Sequence, residues 1–334
     1  MTTNELGEHY TKNYTTILHN LNIPTQEHII EPFVGDEHLL KTLSDASIVE
    51  KYDIQSKKYY RDVFKNPPSY KNKFVLTNPP YLSRNKATNK EPFDLYSEND
   101  LYKCFIRQLI HDQPFGGIVI IPLNFWSSCR SNDVQLRKEF LKLFTIIQVN
   151  VFEEKMFEET SYTVCSMEFW KDHATNEKKQ NIQFTFYPEN IKKHFSLSQE
   201  NNWTIGYEIY NIHYSTKWSV NRLIKGKNSP NTFICAQCID NSKDDKIKLQ
   251  MCNELYYDTT KNKTARSYAT LVINPEIDKE TQEKLVARFN EWFEYKRNEY
   301  KSLFLTNYRE NYRKRIEFSL LYKLVKSFLD EILV

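Results

Sequence analysis

Four consecutive residues, Asn78-Pro79-Pro80-Tyr81, place an amide, two rigid rings and an aromatic side chain directly after the apolar run KFVLT. Neither proline has a backbone N–H to donate, so a β-strand must end here. The Asn78 side-chain oxygen and the Pro79 carbonyl are two acceptors that can hold both hydrogens of an exocyclic base amine, while Tyr81 stacks on the base. The segment therefore predicts chemistry at a base amine, and the base must first leave its duplex.

Acidic residues and a glycine follow other predicted strands, at the end where an α/β sheet binds ligands. Gly35 permits a tight turn after the strand that ends near Glu31, and Asp53 ends the next strand, where a carboxylate can accept from both hydroxyls of a ribose. Asp62 is placed to accept from an adenine amine. The helix expected after Gly35 begins Asp36-Glu37, which disfavours a pyrophosphate at its N-terminus. S-adenosylmethionine, a nucleoside cofactor without phosphate, fits this pattern.

Hydrophobic periodicity indicates the elements that position these residues. Strands are predicted in 27–32, 47–54, 73–80, 116–122, 145–152 and 162–170, and a short third strand is predicted to end at 61–64. Helical spacing occurs in 10–22, 33–43, 99–113 and 133–144. This alternation predicts an α/β domain with a mostly parallel sheet. The last two strands are too close for a crossover helix, so we expect an antiparallel hairpin at the sheet edge.

The 334 residues are enough for two domains, and the polar run 171–181 is the expected boundary. We predict a catalytic domain over 1–175 and a region over 176–334 that is strand-like first and helical at its end. The N-terminus is too polar for a secretory signal and no apolar run reaches membrane-spanning length. We therefore expect an intracellular protein with no membrane partner and with six free cysteines. No His or Cys spacing predicts a metal site.

Taken together, these motifs resemble the amino-group DNA methyltransferases, most closely the gamma-ordered N6-adenine enzymes. The resemblance covers about residues 7–170, and Asn-Pro-Pro-Tyr is its most specific part. It implies a Rossmann-like, mostly parallel, seven-stranded sheet, methyl transfer from S-adenosylmethionine to N6 of a flipped-out adenine in duplex DNA, and a C-terminal target-recognition region. A cognate restriction endonuclease acting separately is a further implied partner, and the composition is consistent with a viral source.

The resemblance assigns roles residue by residue. GEHYT (7–11), with Tyr10 and Thr11, resembles the motif that closes over the methionine part of the cofactor. The remaining segments for the cofactor supply Glu31, Pro32, Phe33 and Gly35, then Asp53 and Ile54, then Asp62 and Val63, with Asn78 shared between cofactor and base. MFEETSYTVCSMEF (156–169) resembles the segment that places an aromatic ring on the far face of the base, and Phe157 is the candidate opposite Tyr81.

One departure from the family pattern concerns Glu37, which stands where Phe-x-Gly-x-Gly has its second glycine. A side chain there either crowds the cofactor or points outward along the helix. The first possibility keeps open an inactive DNA-binding scaffold, and RNA adenine or protein glutamine are alternative substrates for an active enzyme. The expected DNA contacts are two basic clusters after residue 182. They comprise Arg222, Lys225 and Lys227, and Lys261, Lys263 and Arg266.

Overall fold

A computed structural model describes residues 11–25, 27–43, 48–157, 160, 162–172, 180–258, 268–305 and 314–333. The chain divides into two compact units, Met1–Trp203 and Thr204–Val334. Two strands that follow the expected boundary at residue 175 thus belong to the first unit. Among the described residues, no helix is both long enough and apolar enough to cross a membrane.

The first unit is built on one sheet of eight strands. These are β1 His28–Glu31, β2 Ile48–Lys51, β3 Phe74–Thr77, β4 Gly116–Pro122, β5 Phe144–Phe152, β6 Val164–Lys171, β7 Gln180–Tyr187 and β8 Ile191–Leu197. Their order is β2-β1-β3-β4-β6-β5-β7-β8. The first four strands pair in parallel, β6 is antiparallel to both β4 and β5, and β7 is parallel to β5. This mixed, mostly parallel sheet confirms the predicted α/β class.

Short and medium helices connect these strands. They are α1 Tyr14–Ile17, α2 Glu91–Tyr96, α3 Leu101–Asp112, α4 Asn124–Ser127 and α5 Ser131–Leu143, with a 3-10 helix at Leu39–Thr42. Strands β3 and β4 are buried over their whole length, as expected for central strands of a covered sheet. A Cβ on Gly117 would lie 2.6 Å from the Val75 carbonyl oxygen, so β3 and β4 pack closely where β4 begins.

Four expectations about this unit were wrong in detail. The sheet has eight strands rather than the seven that the resemblance implies. Residues 61–64 form no strand, and the expected third strand is reduced to a single bridge between Asp53 and Tyr60. Gly35 opens no α-helix, and the apolar spacing of 33–43 yields only the 3-10 helix Leu39–Thr42. The β5–β6 hairpin forms as predicted but is not at the edge, because β7 and β8 extend the sheet beyond it.

The second unit contains a separate antiparallel sheet and two long helices. Its strands β9 Ser219–Arg222, β10 Ile234–Gln237, β11 Lys248–Met251 and β12 Tyr268–Asn274 have the order β11-β10-β12-β9. Its helices are α6 Tyr207–Tyr210, α7 Lys279–Tyr300 and α8 Phe318–Ile332. The Asp278 side chain caps α7 by accepting from the Thr281 N–H at 2.7 Å. This α+β arrangement agrees with the expectation for the C-terminal region.

Candidate active site

Strands β1 and β3 are neighbours at the point where the strand order reverses. The chain continues from β1 to β2, which pairs with one edge of β1. The next strand, β3, pairs with the opposite edge of β1. In open α/β sheets, ligands bind at the carboxyl ends of strands at such a switch point. Glu31 is the last residue of β1, Thr77 is the last residue of β3, and Asn78 follows directly. The topology thus brings two of the candidate residues to the expected place.

A cleft opens beside this switch point. Its lining residues are Phe33, Asp53, Ile54, Arg61, Asp62, Val63, Phe64, Pro80, Leu82, Ala87, Thr88, Asn89, Pro92, Phe93 and Leu101. Five residues expected to bind the cofactor, Phe33, Asp53, Ile54, Asp62 and Val63, therefore face one space. Pro80 also lines it, so the Asn78–Tyr81 segment forms part of the cleft wall. A mostly apolar lining with a few polar groups is typical of small-molecule sites.

The Asp53 carboxylate organises the backbone around the cleft. Its Oδ2 accepts from the Gly35 N–H at 3.0 Å, and its Oδ1 accepts from the N–H groups of Gln55 at 2.6 Å and Ser56 at 3.0 Å. The side chain is therefore a link between the glycine turn after β1 and the turn after β2. Asp62 makes a similar local turn, since its Oδ1 accepts from Phe64 N–H at 3.1 Å.

Glu37, the departure from the glycine pattern, keeps the backbone that a glycine would adopt. Its φ is +57°, in the left-handed region that favours glycine, and Gly35 two residues earlier has φ +46°. The Glu37 carboxylate accepts from Lys51 Nζ on β2 at 2.6 Å and is part-exposed. Glu37 is absent from the residues that line the cleft. Its side chain points outward, which is one of the two arrangements the sequence left open.

Asn78 lies at the centre of a hydrogen-bonded group. Its Nδ2 donates to the Thr11 hydroxyl at 3.1 Å, and its Oδ1 accepts from the Tyr81 hydroxyl. The Tyr81 hydroxyl also lies 2.8 Å from the Ile120 carbonyl oxygen of β4. One hydroxyl carries one proton, so these two oxygens compete for it. Thr11, expected at the methionine part of the cofactor, is thus placed against the amide of the Asn-Pro-Pro-Tyr segment.

Three aromatic rings lie around Tyr81, and we call Tyr81, Tyr102, Phe157 and Tyr162 together the aromatic box. The ring of Tyr81 lies 6.4 to 6.5 Å from the other three, always edge to face. A base stacked between Tyr81 and Phe157 needs parallel rings about 7 Å apart, twice the carbon contact distance. The observed interplanar angle is 69°, so one ring must turn before a base can lie between them.

The remaining candidates fall outside this arrangement or outside the described residues. Pro32 is buried next to Glu31 and does not line the cleft. In the second unit, Arg222 pairs with Asp258 at 3.0 Å and lies over the Phe318 ring, so its charge already serves local packing. Lys225 and Lys227 are exposed on the turn after β9. Tyr10 and the second basic cluster, Lys261, Lys263 and Arg266, lie outside the described residues.

Sequence reasoning missed three contributors to the site. Thr77 donates to Glu31 Oε1 at 2.5 Å, and its position immediately before Asn78 was a usable signal. Tyr102 and Tyr162 complete the aromatic box, yet both sit in patterns that also predict core residues. Within the described residues, no group of three or more His, Cys, Asp or Glu side chains is arranged to hold a metal ion.

Comparisons with known proteins return only distant structural similarity. No protein-family model and no curated protein sequence matches the chain. The methyltransferase subunit of a type I restriction-modification system from Streptococcus thermophilus has 12% identity and a TM-score of 0.41, covering 61% of this chain and 53% of that one. The M protein of the type I restriction enzyme EcoKI has 12% identity and a TM-score of 0.39, covering 96% and 71%.

The type IIG restriction endonuclease BpuSI has 16% identity and a TM-score of 0.40, with 69% of this chain and 37% of that chain covered. The chain therefore spans about half of the Streptococcus thermophilus subunit and little more than a third of BpuSI. Similarity at this level does not assign the chain to a family.

Proposed function

We propose that this chain is a DNA methyltransferase that transfers a methyl group from S-adenosylmethionine to N6 of an adenine flipped out of duplex DNA. The observation that carries the proposal is the place of Asn78. Its amide follows β3 at the switch point of the sheet, and Pro80, two residues on, lines the cleft that Asp53 and Asp62 share. An amine acceptor and a cleft with two carboxylates thus meet at one strand end.

The residues of the cleft fit the proposed cofactor. S-adenosylmethionine supplies a methyl group on a sulfonium, an electrophile that needs no metal. Apolar walls from Phe33 and Val63 suit an adenine ring, and the carboxylates of Asp53 and Asp62 suit ribose hydroxyls and an amine. The segment after Gly35 has only a 3-10 helix, so no long helix presents its N-terminus to a phosphate. This composition favours a nucleoside over a nucleotide.

The chain's contribution to the reaction is to hold and orient the target amine. Thr11 accepts from Asn78 Nδ2, which leaves Oδ1 as the end of the amide that can accept from the base. With the Pro79 carbonyl as the second acceptor, both amine hydrogens are held and the nitrogen lone pair is directed at the methyl group. The C–N bond forms as the S–C bond breaks, and the extra amine proton then passes to solvent.

The Tyr81 hydroxyl gives this arrangement a resting and a binding state. Without a base, the Tyr81 hydroxyl can donate to Asn78 Oδ1, which is the acceptor that the target amine requires. When the amine arrives, the same hydroxyl can donate to the Ile120 carbonyl at 2.8 Å without moving its oxygen. The Asn78 acceptor is then released at little cost, since one hydrogen bond replaces another.

The test is to incubate the purified chain with S-adenosylmethionine labelled in the methyl group and with mixed plasmid DNA, then to digest and separate the nucleosides. Label in N6-methyladenine supports the proposal. Label in RNA or in protein glutamine, supplied in parallel reactions, keeps methyl transfer and replaces the substrate. If no label appears and no cofactor binds, an inactive DNA-binding scaffold replaces the proposal.

Asn78→Ala is the matched variant for the same assay. It removes the amide acceptor and leaves every residue named in the cofactor cleft in place. We expect methyl transfer to fall below detection while the dissociation constant for S-adenosylmethionine changes little. Undiminished methyl transfer by Asn78→Ala would remove the amide from the reaction.

A further inference from the structure

Two buried side chains at the start of α3, next to the Asn-Pro-Pro-Tyr segment, each carry one polar atom without a hydrogen-bond partner among the described residues. The Tyr102 hydroxyl and Asp100 Oδ1 have no partner among the described residues, and the side chains are only 2% and 8% exposed. An unsatisfied buried group costs about 1–3 kcal/mol, so a stable fold keeps few of them. Two at one place suggest that a ligand supplies the missing partner.

The backbone holds both residues against the catalytic segment. Asp100 forms an antiparallel bridge with Ser83, and the Leu101 N–H donates to the Leu82 carbonyl at 3.1 Å. Asp100 and Tyr102 therefore sit at the start of α3, clamped to the two residues that follow Tyr81. The Tyr102 ring is perpendicular to that of Tyr81 at 6.4 Å, as one wall of the aromatic box.

The nearest cation does not satisfy either group. Lys103 donates to Asp133 at 2.5 Å and to Asn99 at 2.8 Å, and its ammonium lies over the Tyr102 ring rather than at its hydroxyl. The buried Lys103–Asp133 pair thus balances its own charge. The Tyr102 hydroxyl, on a ring that forms one wall of the box, and Asp100 Oδ1, two residues earlier, thus still lack a partner among the described residues.

We propose that Tyr102 and Asp100 form the polar wall of the base-binding site, with the Tyr102 hydroxyl donating to a ring nitrogen of the flipped-out base. The inference rests on the proposed function and adds residues that hold the ring, whereas Asn78 and Pro79 hold the amine. Ring nitrogens of a purine are acceptors, and a phenol is a good donor to them. Gripping both ring and amine would fix the plane of the base when Tyr81 stacks on it.

The test uses Tyr102→Phe, which removes one oxygen, and Thr185→Val as its matched control. Thr185 on β7 is also fully buried, and its hydroxyl is also unsatisfied among the described residues. Removing either hydroxyl relieves a desolvated group, so we expect neither variant to lower the melting temperature. Only Tyr102→Phe should lower kcat/KM for plasmid DNA, by about tenfold for one lost hydrogen bond, with cofactor affinity unchanged.

Asp100→Asn provides a second variant with the same readouts, and we expect it too to reduce kcat/KM for DNA without loss of cofactor binding. Unchanged kcat/KM for both variants, in a chain whose wild type methylates DNA, overturns this inference and leaves the proposed function standing. Weakened cofactor binding in either variant overturns it as well, because the wall would then belong to the cofactor. A wild type without methyl transfer overturns both proposals.

Discussion

The hydroxyl of Thr77 donates to Glu31 Oε1 at 2.5 Å, which joins the carboxyl ends of β3 and β1 in the middle of the sheet. Glu31 is 1% exposed, and its Oε2 has no partner among the residues that the structure describes. Burial raises the pKa of Glu31 to about 8, although the hydrogen bonds from Thr77 and the Phe33 N–H oppose this shift. The nearby charge of Asp53 raises the pKa further. Glu31 is therefore mostly neutral in the folded chain near neutral pH.

This pKa predicts how stability depends on pH. The folded-state value of about 8 lies above the ordinary 4.5, so the contribution of Glu31 is fully present below about pH 4.5 and is lost as the pH rises through about 8. Glu31→Gln cannot ionise. We expect the free energy of unfolding of the wild type to fall relative to this variant between about pH 5 and pH 8, by about 1.4 kcal/mol per pH unit. Urea unfolding at several pH values measures the difference.

Asp278→Asn at the start of α7 serves as the control for that experiment. The Thr281 N–H donates to Asp278 Oδ1 at 2.7 Å and lowers the pKa of this carboxyl, and asparagine can accept the same hydrogen bond. A lowered carboxyl pKa contributes stability above the unfolded value and loses it only at more acid pH. The difference between the wild type and Asp278→Asn should stay constant over the same range. If the difference between the wild type and Glu31→Gln is also constant from about pH 5 to pH 8, Glu31 is ionised in the folded chain throughout this range.

Asp53 is expected to affect both folding and cofactor binding. Its carboxylate accepts three backbone N–H groups, from Gly35, Gln55 and Ser56. Hydrogen bonds to a charged group contribute about 1.5–3 kcal/mol. Asp53→Ala should therefore lower the free energy of unfolding by that order and raise the dissociation constant for S-adenosylmethionine at least tenfold. Calorimetric titration and urea unfolding give the two quantities.

Ile54→Ala is the matched variant next to Asp53. Ile54 lines the same cleft but is 37% exposed, so its truncation should change stability by less than about 0.5 kcal/mol. Weaker cofactor binding in Ile54→Ala with unchanged stability would place the cofactor in the cleft. Unchanged cofactor binding in both variants would mean that the cleft is not its site.

Glu37→Gly tests whether the unusual glycine motif impairs cofactor binding. At φ +57° glycine is unstrained, while the lost ion pair with Lys51 is part-exposed and contributes at most about 1 kcal/mol. We expect the dissociation constant for S-adenosylmethionine to change by less than about twofold, a free-energy difference under 0.5 kcal/mol. A tenfold gain in affinity would instead show that the Glu37 side chain obstructs the cofactor.

The sequence predicted the central strands of the sheet well because their signal is local. The run GGIVIIP could only be a fully buried strand, and β4 has those limits. The same reasoning failed at 33–43, where helical spacing of leucines coincides with a glycine turn and a left-handed residue at Glu37. Backbone geometry imposed by the Asp53 contact to Gly35 overrides that periodicity, and no count of apolar residues reveals it.

Motif reasoning placed residues at strand ends but could not give their partners. Asp53 is predicted to bind a ribose, and the motif does not reveal that its carboxylate also joins the turn after β1 to the turn after β2. Phe157 lies 6.5 Å from Tyr81, but the motif did not predict the 69° angle between the rings, or Tyr102 and Tyr162 beside Tyr81. Side-chain networks of this kind depend on contacts between distant segments, which spacing in a single sequence does not encode.

The second unit depends on one buried ion pair, which gives the last prediction. Arg297 on α7 donates from two nitrogens to both oxygens of Asp240, at 3.0 and 2.8 Å, and the side chains are 7% and 1% exposed. Arg297→Met leaves a buried carboxylate that still accepts from the Ile247 N–H, so we expect a loss of about 3–5 kcal/mol. Adding Asp240→Asn removes that charge and should restore part of the loss. Hydrogen exchange should accelerate in β10 and β11 of Arg297→Met but not in β4, and equal acceleration in β4 would contradict a local role.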